Sequence, residues 1–326
     1  MAVDPTALGS DHLRLVTTVA RLYHVRGVRQ RDIAARLHLS QPRVSRLLAA
    51  AEEMGIVRTV VVAPQGLHPD LEERLEQRFG LGEVHLVDVI SEADVAEGLG
   101  AAAARHFAEA WPGGSVVGFT SWSKTLRTMA DLLPPVRRSG AKQVVELLGD
   151  LGSPLLQHEA ARATLRLSRA LEAEAVFLRT PGVAASPELR DSVVQNVHVA
   201  HALSLLDTLD VAFVGVGPAD FHGPLREGDN FFTAAQLEQA RVAGAVAQLD
   251  QRFLDAEGRP VPTGLDDLVV GVDLEQLRRA GRRIVVAGGR TKHAPIAAAL
   301  AGGWVDVLMT DTVTAEYLLQ IPTAAG

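Results

Sequence analysis

Apolar residues recur every three or four positions through the stretch QRDIAARLHLSQPRVSRL, residues 30–47. This spacing predicts two short helices, each with one apolar face turned toward a shared core. Ser40 is placed to cap the second helix, Pro42 suits its first turn, and His38 occupies the turn between the helices, where a left-handed backbone is expected. The predicted core residues are Ile33, Ala34, Leu37, Val44, Leu47 and Leu48.

This spacing is that of a helix-turn-helix, whose second helix enters the DNA major groove. An ordinary helical hairpin used for packing is the alternative. Charge favours DNA binding: residues 1–62 hold nine Lys/Arg against five Asp/Glu, whereas residues 63–326 hold 23 against 34. Positive charge is therefore concentrated on the segment that carries the motif. The candidate DNA-binding residues are Arg29, Arg31, Ser40, Gln41, Arg43, Ser45 and Arg46.

The flanking patterns complete a small N-terminal domain, residues 1–62. A first helix is expected from Asp11 to Val25, with Ser10 as its cap and Gly27 at its end. The run IVRTVVV, residues 56–62, predicts a strand that forms a wing or a hinge. In that run Arg58 either touches phosphate or is simply solvated.

A linker and a charged helix are expected over residues 63–82. The turn-rich APQG marks the linker. Leu71, Leu75 and Phe79, spaced four apart, give the following helix one apolar face. Its charged residues form either a solvated face or part of an interdomain or dimer-forming contact.

From Glu83 onward, short apolar strands alternate with helical segments, which predicts a doubly wound α/β domain with a parallel sheet covered on both faces, residues 83–326. The segment 244–261 differs, because it predicts a strand and a hairpin turn through Asp255, Glu257 and Gly258. The predicted strands are 83–89, 115–119, 143–148, 174–178, 210–216, 282–288 and 305–310; the predicted helices include 94–110, 158–171, 192–206 and 294–300.

In open parallel sheets, ligands bind beyond the carboxyl ends of the strands. The loops expected there are rich in glycine, hydroxyl, lysine and carboxylate groups, which suits a small polyhydroxylated and phosphorylated ligand. Lys124 and Lys292, two of only three lysines in the chain, either hold phosphate or lie at the surface. The loop sequences are TSWSKTL, GDLGSP, GPADFHG, GGRTKHA and TDTVTA.

Other motifs each have a functional and a simpler structural interpretation. Trp122 either stacks on a sugar ring or packs, and Asp311 either contacts ligand or only caps the following helix. His198 and His201 share a helix face but lack a third ligand, so no metal is expected. The pair Gly215-Val-Gly217 opens no helix, so no dinucleotide or other cofactor is expected. His293 either contacts ligand or begins a helix in solvent.

Composition excludes several classes. With no cysteine among 326 residues, disulfide scaffolds, thiolate metal sites and cysteine nucleophiles are impossible. No signal peptide pattern and no run of about 20 apolar residues occurs, so a cytoplasmic protein without a membrane span is expected. An aromatic content of 4% disfavours base-stacking surfaces for RNA or single strands.

Together these stretches make the sequence resemble the SorC/DeoR-type sugar-responsive bacterial transcription regulators. The resemblance rests on the helix-turn-helix, TSWSKTL, QRFLDAEGRPV and the closing GGRTKHAPIAAALAGGWVDVLMTDTVTAEYLL. It implies an effector domain related to sugar-phosphate isomerases of the NagB/RpiA kind. It also implies a homodimer or homotetramer that binds operator DNA and is controlled by a sugar, polyol or sugar phosphate.

The resemblance also implies roles for particular residues. The loop from Thr120 to Thr125 and Lys292 would hold the phosphate, while Asp311, Arg252 and Asp255 would line the ligand or hinge region. Ser123 stands where many members have glycine, and Gln248 where many have aspartate. The full effector set is Thr120, Ser121, Trp122, Ser123, Lys124, Thr125, Gly149, Gly215, Gly217, Gln248, Arg252, Asp255, Gly288, Gly289, Lys292 and Asp311.

A rival hypothesis is a sugar-phosphate isomerase or deaminase with a DNA-binding appendage. Such chemistry needs a positioned general base beside the bound sugar. Asp150, Asp220 and Asp311 are the carboxylates that the predicted strand ends offer. No compact acid/base cluster is evident among them, and an enzyme would leave the N-terminal motif unexplained, so no catalytic residue is assigned.

Overall fold

The computed structural model describes residues 10–58, 64, 66–219 and 229–322. The chain divides into two compact units, Met1–Pro64 and Gln65–Gly326. Each unit has its own apolar core.

The first unit is built from helices α1 (Ser10–Ala20), α2 (Gln30–Leu37) and α3 (Gln41–Glu53), with a π-helical turn, Arg21–Val25, extending α1. The two predicted helices of the motif are therefore confirmed. Their apolar faces meet in a core whose buried members from α2 and α3 are Ile33, Ala34, Val44, Leu47, Leu48 and Ala51.

The turn between α2 and α3 is as expected: His38 has φ 52°, and Pro42 lies in the first turn of α3. Two details differ from the prediction. Ser40 occupies the N-cap position, but its side chain accepts no hydrogen bond from the helix. Leu37 is only partly buried. Of the predicted strand at 56–62, residues 56–58 are not in a strand, and the rest lies outside the described residues.

The second unit contains a seven-stranded parallel sheet in the order β1-β10-β9-β5-β2-β3-β4. This order has crossovers in both directions, so the predicted doubly wound fold is confirmed. The strands are β1 (Glu83–Val87), β2 (Val116–Phe119), β3 (Gln143–Glu146), β4 (Glu174–Val176), β5 (Val211–Phe213), β9 (Arg282–Val286) and β10 (Val307–Asp311).

Helices cover both faces of this sheet and enclose a separate apolar cluster on each side. One face carries α5 (Val95–Glu109), α6 (Lys124–Leu132) and α7 (Pro154–Ala170). The other elements of the unit are α4 (Pro69–Phe79), α8 (Pro187–Val194), α9 (Val197–Leu205), α10 (Ala234–Val242), α11 (Leu274–Arg279), α12 (His293–Ala301) and α13 (Thr312–Gln320). No helix within the described ranges is long and apolar enough to cross a bilayer.

Two predicted elements are broken in the structure. The single helix expected over 192–206 is divided into α8 and α9, because Asn196 caps α9 by accepting the N–H groups of His198 and Val199. The single strand expected over 210–216 ends at Phe213. A new strand, β6 (Val216–Pro218), then leaves the main sheet.

Strand β6 joins β7 (Ala247–Leu249) and β8 (Arg252–Leu254) in a small antiparallel sheet. The predicted antiparallel excursion is therefore confirmed. The predicted turn also exists, because the N–H of Gly258 donates to the carbonyl of Asp255. However, the turn that connects the hairpin strands β7 and β8 lies earlier, at residues 250–251.

Helix α4 packs into the second unit. Leu75 is fully buried, and Leu71 and Phe79 pack against the same cluster. Its charged residues do more than face solvent: Glu72 and Glu76 accept backbone N–H groups of β1, at 2.8 and 2.9 Å. A role for this helix in oligomerisation stays a prediction.

Candidate functional site

A cavity of about 460 Å³ opens at the carboxyl ends of the central strands, bounded also by the small sheet. This is where ligands bind in open α/β sheets. The structure brings together ten of the residues predicted from sequence: Thr120, Trp122, Ser123, Lys124, Thr125, Gly215, Gly217, Gln248, Gly288 and Lys292.

One side of the cavity is formed by the N-terminal end of helix α6. Ser123 caps this helix by accepting the N–H of Leu126. The first N–H groups of the helix have no carbonyl partner within it. Helix N-termini attract anions through these N–H groups and the helix dipole. The ammonium of Lys124 is exposed and lies 3.2 Å from the carboxylate of Glu97.

Lys292 lines the cavity from the loop that follows β9. Its ammonium has no ion pair or hydrogen bond to any residue that the structure describes. Burial lowers the pKa of this ammonium. A desolvated cation without a protein counter-ion is costly, so an anionic ligand group at this position would be stabilising.

The next residue, His293, does not line the cavity. Its ring stacks on Tyr317 with 4.3 Å between ring centroids. Burial lowers its pKa. His293 is the first residue of α12, as one sequence-based alternative expected, but its ring packs on Tyr317 and does not face solvent.

A buried carboxylate, which sequence reasoning missed, forms the polar floor of the cavity. The hydroxyl of Thr120 donates to the two carboxylate oxygens of Asp250, at 2.7 and 2.9 Å, and accepts the N–H of Gly215 at 2.9 Å. Asp250 is 3% exposed. Burial raises its pKa to about 7, against the favourable hydrogen bond from Thr120.

Asp250 lies on a strained turn. Asp250 and Gln251 have φ values of 45° and 68°, a left-handed backbone that aspartate tolerates better than glutamine. Gln248 supports the turn, because its side-chain oxygen accepts the N–H of Gln251 at 2.8 Å. Consecutive left-handed residues without glycine cost stability, and such strain is concentrated at functional sites.

Asp311 does not line the cavity. Its carboxylate caps α13 by accepting the N–H of Thr314, and it also accepts the N–H of Gly289, both at 2.8 Å. A Cβ atom at Gly288 would lie 2.1 Å from the same carboxylate. The structure therefore places Asp311 as a cap that holds the loop leading to Lys292.

Five other predicted residues also lie outside the cavity lining, and one of them, Gly289, is held by Asp311. The buried guanidinium of Arg252 donates to the carbonyls of Val272 and Asp266, at 3.0 and 2.8 Å, so it anchors β8. Asp255 accepts a 2.9 Å bond from Arg259 within its turn. Gly149 is in close contact with backbone, and Ser121 is buried.

Trp122 both packs and lines the cavity, so the two sequence-based alternatives are not exclusive. Its indole Nε1 has no hydrogen-bond partner in the described part of the chain. Arg127, which sequence reasoning missed, donates to the carbonyl of Trp122 at 3.1 Å and thereby supports this loop.

Glu92 is a further lining residue that sequence reasoning missed. It follows β1, whose carboxyl end meets the same sheet edge, so that strand's loop was a usable signal. Its carboxylate accepts the N–H of Arg290 at 2.7 Å. No comparable signal marked Asp250, because it lies on a hairpin outside the main sheet.

The seven candidate DNA-binding residues are all exposed on the first unit. Helix α3 buries Val44 and Leu47, which leaves Gln41, Arg43 and Arg46 on its outer surface. Arginine pairs in bidentate fashion with guanine, and glutamine with adenine. This face therefore carries the side chains needed to read base edges.

The histidines singled out from sequence, His198 and His201, are exposed on α9. A different group, Glu83, His85 and His106, is the one set of potential metal ligands that meets within the described ranges. It lies where β1 begins, away from the cavity, and the carboxylate of Glu83 is ion-paired with Arg282.

The fold and the site define a two-part protein, with a helix-turn-helix unit and an α/β unit that has a ligand cavity at its strand ends. Residues 64–320 match the family described as "Putative sugar-binding domain". The chain belongs to this family and, with its N-terminal unit, to the sugar-binding transcriptional regulators of the SorC/DeoR type.

Relatives match over almost their whole lengths. The sorbitol operon regulator of Klebsiella pneumoniae is 29% identical over 95% of this chain and 99% of its own. The regulator LsrR of K. pneumoniae is 31% identical over 94% of this chain and 93% of its own. The crystal structure of full-length SorC from K. pneumoniae superposes with a TM-score of 0.71, at 27% identity, over 95% of this chain and all of that one. The resemblance inferred from sequence is confirmed.

Proposed function

We propose that the protein is a DNA-binding transcriptional regulator whose operator binding is controlled by a small sugar, polyol or sugar phosphate. One observation carries the proposal. The unpaired ammonium of Lys292 lines a cavity in a chain whose other unit exposes the arginines of a recognition helix. We also propose a cytoplasmic location, because a regulator must reach its operator DNA.

On the DNA side, residues 1–62 would read double-stranded operator DNA through Gln41, Arg43 and Arg46, with the other exposed candidates contacting phosphate. Residues 63–82 would link the domains and support a homodimer or homotetramer. A symmetric oligomer would present paired motifs to half-sites about one helical turn, or a multiple of it, apart.

On the effector side, residues 83–326 would bind the ligand in the cavity. Lys292 and the N-terminal end of α6 would hold its anionic end, while Trp122 and Gln248 would contact its carbon skeleton and hydroxyls. The effector can change operator affinity only by the difference between its affinities for the two states of the regulator.

We assign no catalytic role. Of the carboxylates that an isomerase or deaminase could have used, Asp150 is paired with Arg179 at 2.7 Å, and Asp311 caps α13. Asp220 lies outside the described residues. Incubation of the full chain with sugar phosphates, followed by NMR, tests this assignment: unchanged substrates support it, and isomerised or deaminated products contradict it.

Calorimetric titration with inorganic phosphate and a panel of sugar phosphates tests the effector site. We expect Lys292→Met to weaken binding at least about tenfold, because a charged hydrogen-bond partner of the anion is lost. Lys142→Met is the matched control, since Lys142 is exposed and does not line the cavity. Equal binding by the wild type and Lys292→Met would contradict the proposal.

A further inference from the structure

The carboxylate of Asp250 has unused hydrogen-bonding capacity. It lines the cavity, and the hydroxyl of Thr120 is the one donor to it among the residues that the structure describes. A carboxylate can accept about four hydrogen bonds. Burial with so few donors is costly unless another partner supplies them.

The nearest cation in sequence does not supply this need. Arg252 is two residues away, but its guanidinium is committed to the 266–272 segment, donating to Val272 and Asp266. The missing donors must come from whatever occupies the cavity, either water or a ligand.

Hydrogen bonds from neighbouring residues hold the turn that carries Asp250 in its strained conformation. Thr120 fixes the carboxylate, Gly215 fixes Thr120, and Gln248 fixes the N–H of Gln251. A Cβ atom at Gly215 would lie 2.6 Å from Thr120, so this position requires glycine. The surroundings thus maintain a conformation that costs stability.

Gln248 lines the cavity from the same hairpin as Asp250. Gln248 accepts the N–H of Gln251 with its side-chain oxygen, which is thereby used by the turn. Its Nε2 group lies near Gly217, with 3.0 Å to the position of a Cβ there, and has no hydrogen-bond acceptor among the described residues. The hairpin thus offers an amide donor at residue 248 and a carboxylate acceptor at residue 250.

The cavity is lined by both a cation, Lys292, and a carboxylate, Asp250, which suits a ligand that has an anionic group and a hydroxyl. Lys292 follows β9, whereas Thr120 follows β2, and β5 separates these strands in the sheet. Lys292 would contact an anionic group of the ligand, and Asp250 a hydroxyl donor of the same ligand.

We propose that Asp250 is a specificity-determining residue, which selects anionic effectors that also carry a free hydroxyl able to donate to its carboxylate. This inference rests on the proposed function of the cavity. The hydroxyl donates to the carboxylate, and an acceptor on the same ligand receives the amide of Gln248. Phosphorylated polyols and sugars fit this requirement, and their analogues that lack this hydroxyl do not.

The test combines changes in the full-chain protein with changes in the ligand, in the manner of a double-mutant cycle. The tightest-binding sugar phosphate of a panel is compared with analogues in which each hydroxyl is removed in turn, on the wild type and on Asp250→Asn. Asp267→Asn is the matched control, because Asp267 is exposed and does not line the cavity. Inorganic phosphate serves as a probe of the anion end and as a check that each variant is folded.

For one hydroxyl, we expect removal to weaken binding at least about tenfold in the wild type and in Asp267→Asn, as for a hydrogen bond to a charged group. In Asp250→Asn the same removal should cost less than about threefold, and inorganic phosphate should bind as in the wild type. If every hydroxyl contributes equally in the wild type and in Asp250→Asn, this inference is wrong and the proposed function stands. If no sugar phosphate binds any variant, the proposed function fails, and this inference with it.

Discussion

Replacing Asp250 by asparagine should stabilise the free protein, and more so at alkaline pH. Burial raises the pKa of this carboxyl from its ordinary 3.8 to about 7 in the folded state. Because the folded pKa is the higher one, the folded state holds the proton in a range where the unfolded chain has lost it. Stability therefore falls as pH rises from about 4 to about 7, and the loss is complete above that range.

The size of the effect follows from linkage. Each pH unit between the two pKa values is equivalent to about 1.4 kcal/mol, so the ionised carboxyl costs the folded state on the order of 4 kcal/mol at pH 8. Asparagine cannot ionise, and its carbonyl can still accept the hydroxyl of Thr120. We expect Asp250→Asn to match the wild type near pH 4 and to exceed it by several kcal/mol at pH 8.

Urea unfolding followed by tryptophan fluorescence measures this difference. All three tryptophans, Trp111, Trp122 and Trp304, lie in the second unit, so the signal reports the unit that contains Asp250. Comparing variants at each pH removes the contributions of other titrating groups. Asp267→Asn should leave stability almost unchanged at both pH values. A difference for Asp250→Asn that is absent, or independent of pH, would refute the reasoning.

Four further substitutions, two tests and two controls, probe the packing. Ile33→Ala should destabilise the first unit by about 2–5 kcal/mol, measured by circular dichroism, because Ile33 is fully buried. As a control, Ile90→Ala should change stability by less than about 0.5 kcal/mol, because Ile90 is 99% exposed. Gly288→Ala should lower the melting temperature, since its Cβ would lie 2.1 Å from the carboxylate of Asp311. Gly98 lies inside α5, and a Cβ there would meet only ordinary contacts at 3.5 Å. Gly98→Ala should therefore leave the melting temperature unchanged or raise it, with a gain in stability of up to about 1 kcal/mol. A lower melting temperature for Gly98→Ala than for Gly288→Ala would contradict this account.

The main sheet was predictable because its strands are short apolar runs separated by helical spacing, and such local patterns are dictated by burial on both faces. The breaks in the elements expected over residues 192–206 and 210–216 were not predictable in this way. Strand β5 ends where Gly215 approaches Thr120, and α9 begins where Asn196 captures two N–H groups. Both depend on contacts that hydrophobic periodicity does not record.

The cavity was predictable as far as it follows the parallel sheet. Loops after β2 and β9 were found because strand ends meet at one edge. Asp250 was missed because the turn at residues 250–251 lacks the glycine or asparagine that usually marks a left-handed turn. Asp311 and Arg252 were predicted to line the ligand or hinge region, but they lie outside the cavity lining. A helix cap and a buried backbone anchor use the same residue types as a ligand contact, so the sequence does not distinguish them.

Fluorescence anisotropy on DNA from upstream of the protein's own transcription unit tests the central claim most directly. We expect salt-sensitive binding that is tighter than binding to a scrambled duplex and is altered by at least one sugar or sugar phosphate. Arg43→Ala should weaken specific binding by about 1–3 kcal/mol if it contacts a base. Arg105→Ala, an exposed arginine of the second unit, is the matched control. Specific binding that neither Arg43→Ala nor any panel member changes would contradict the account.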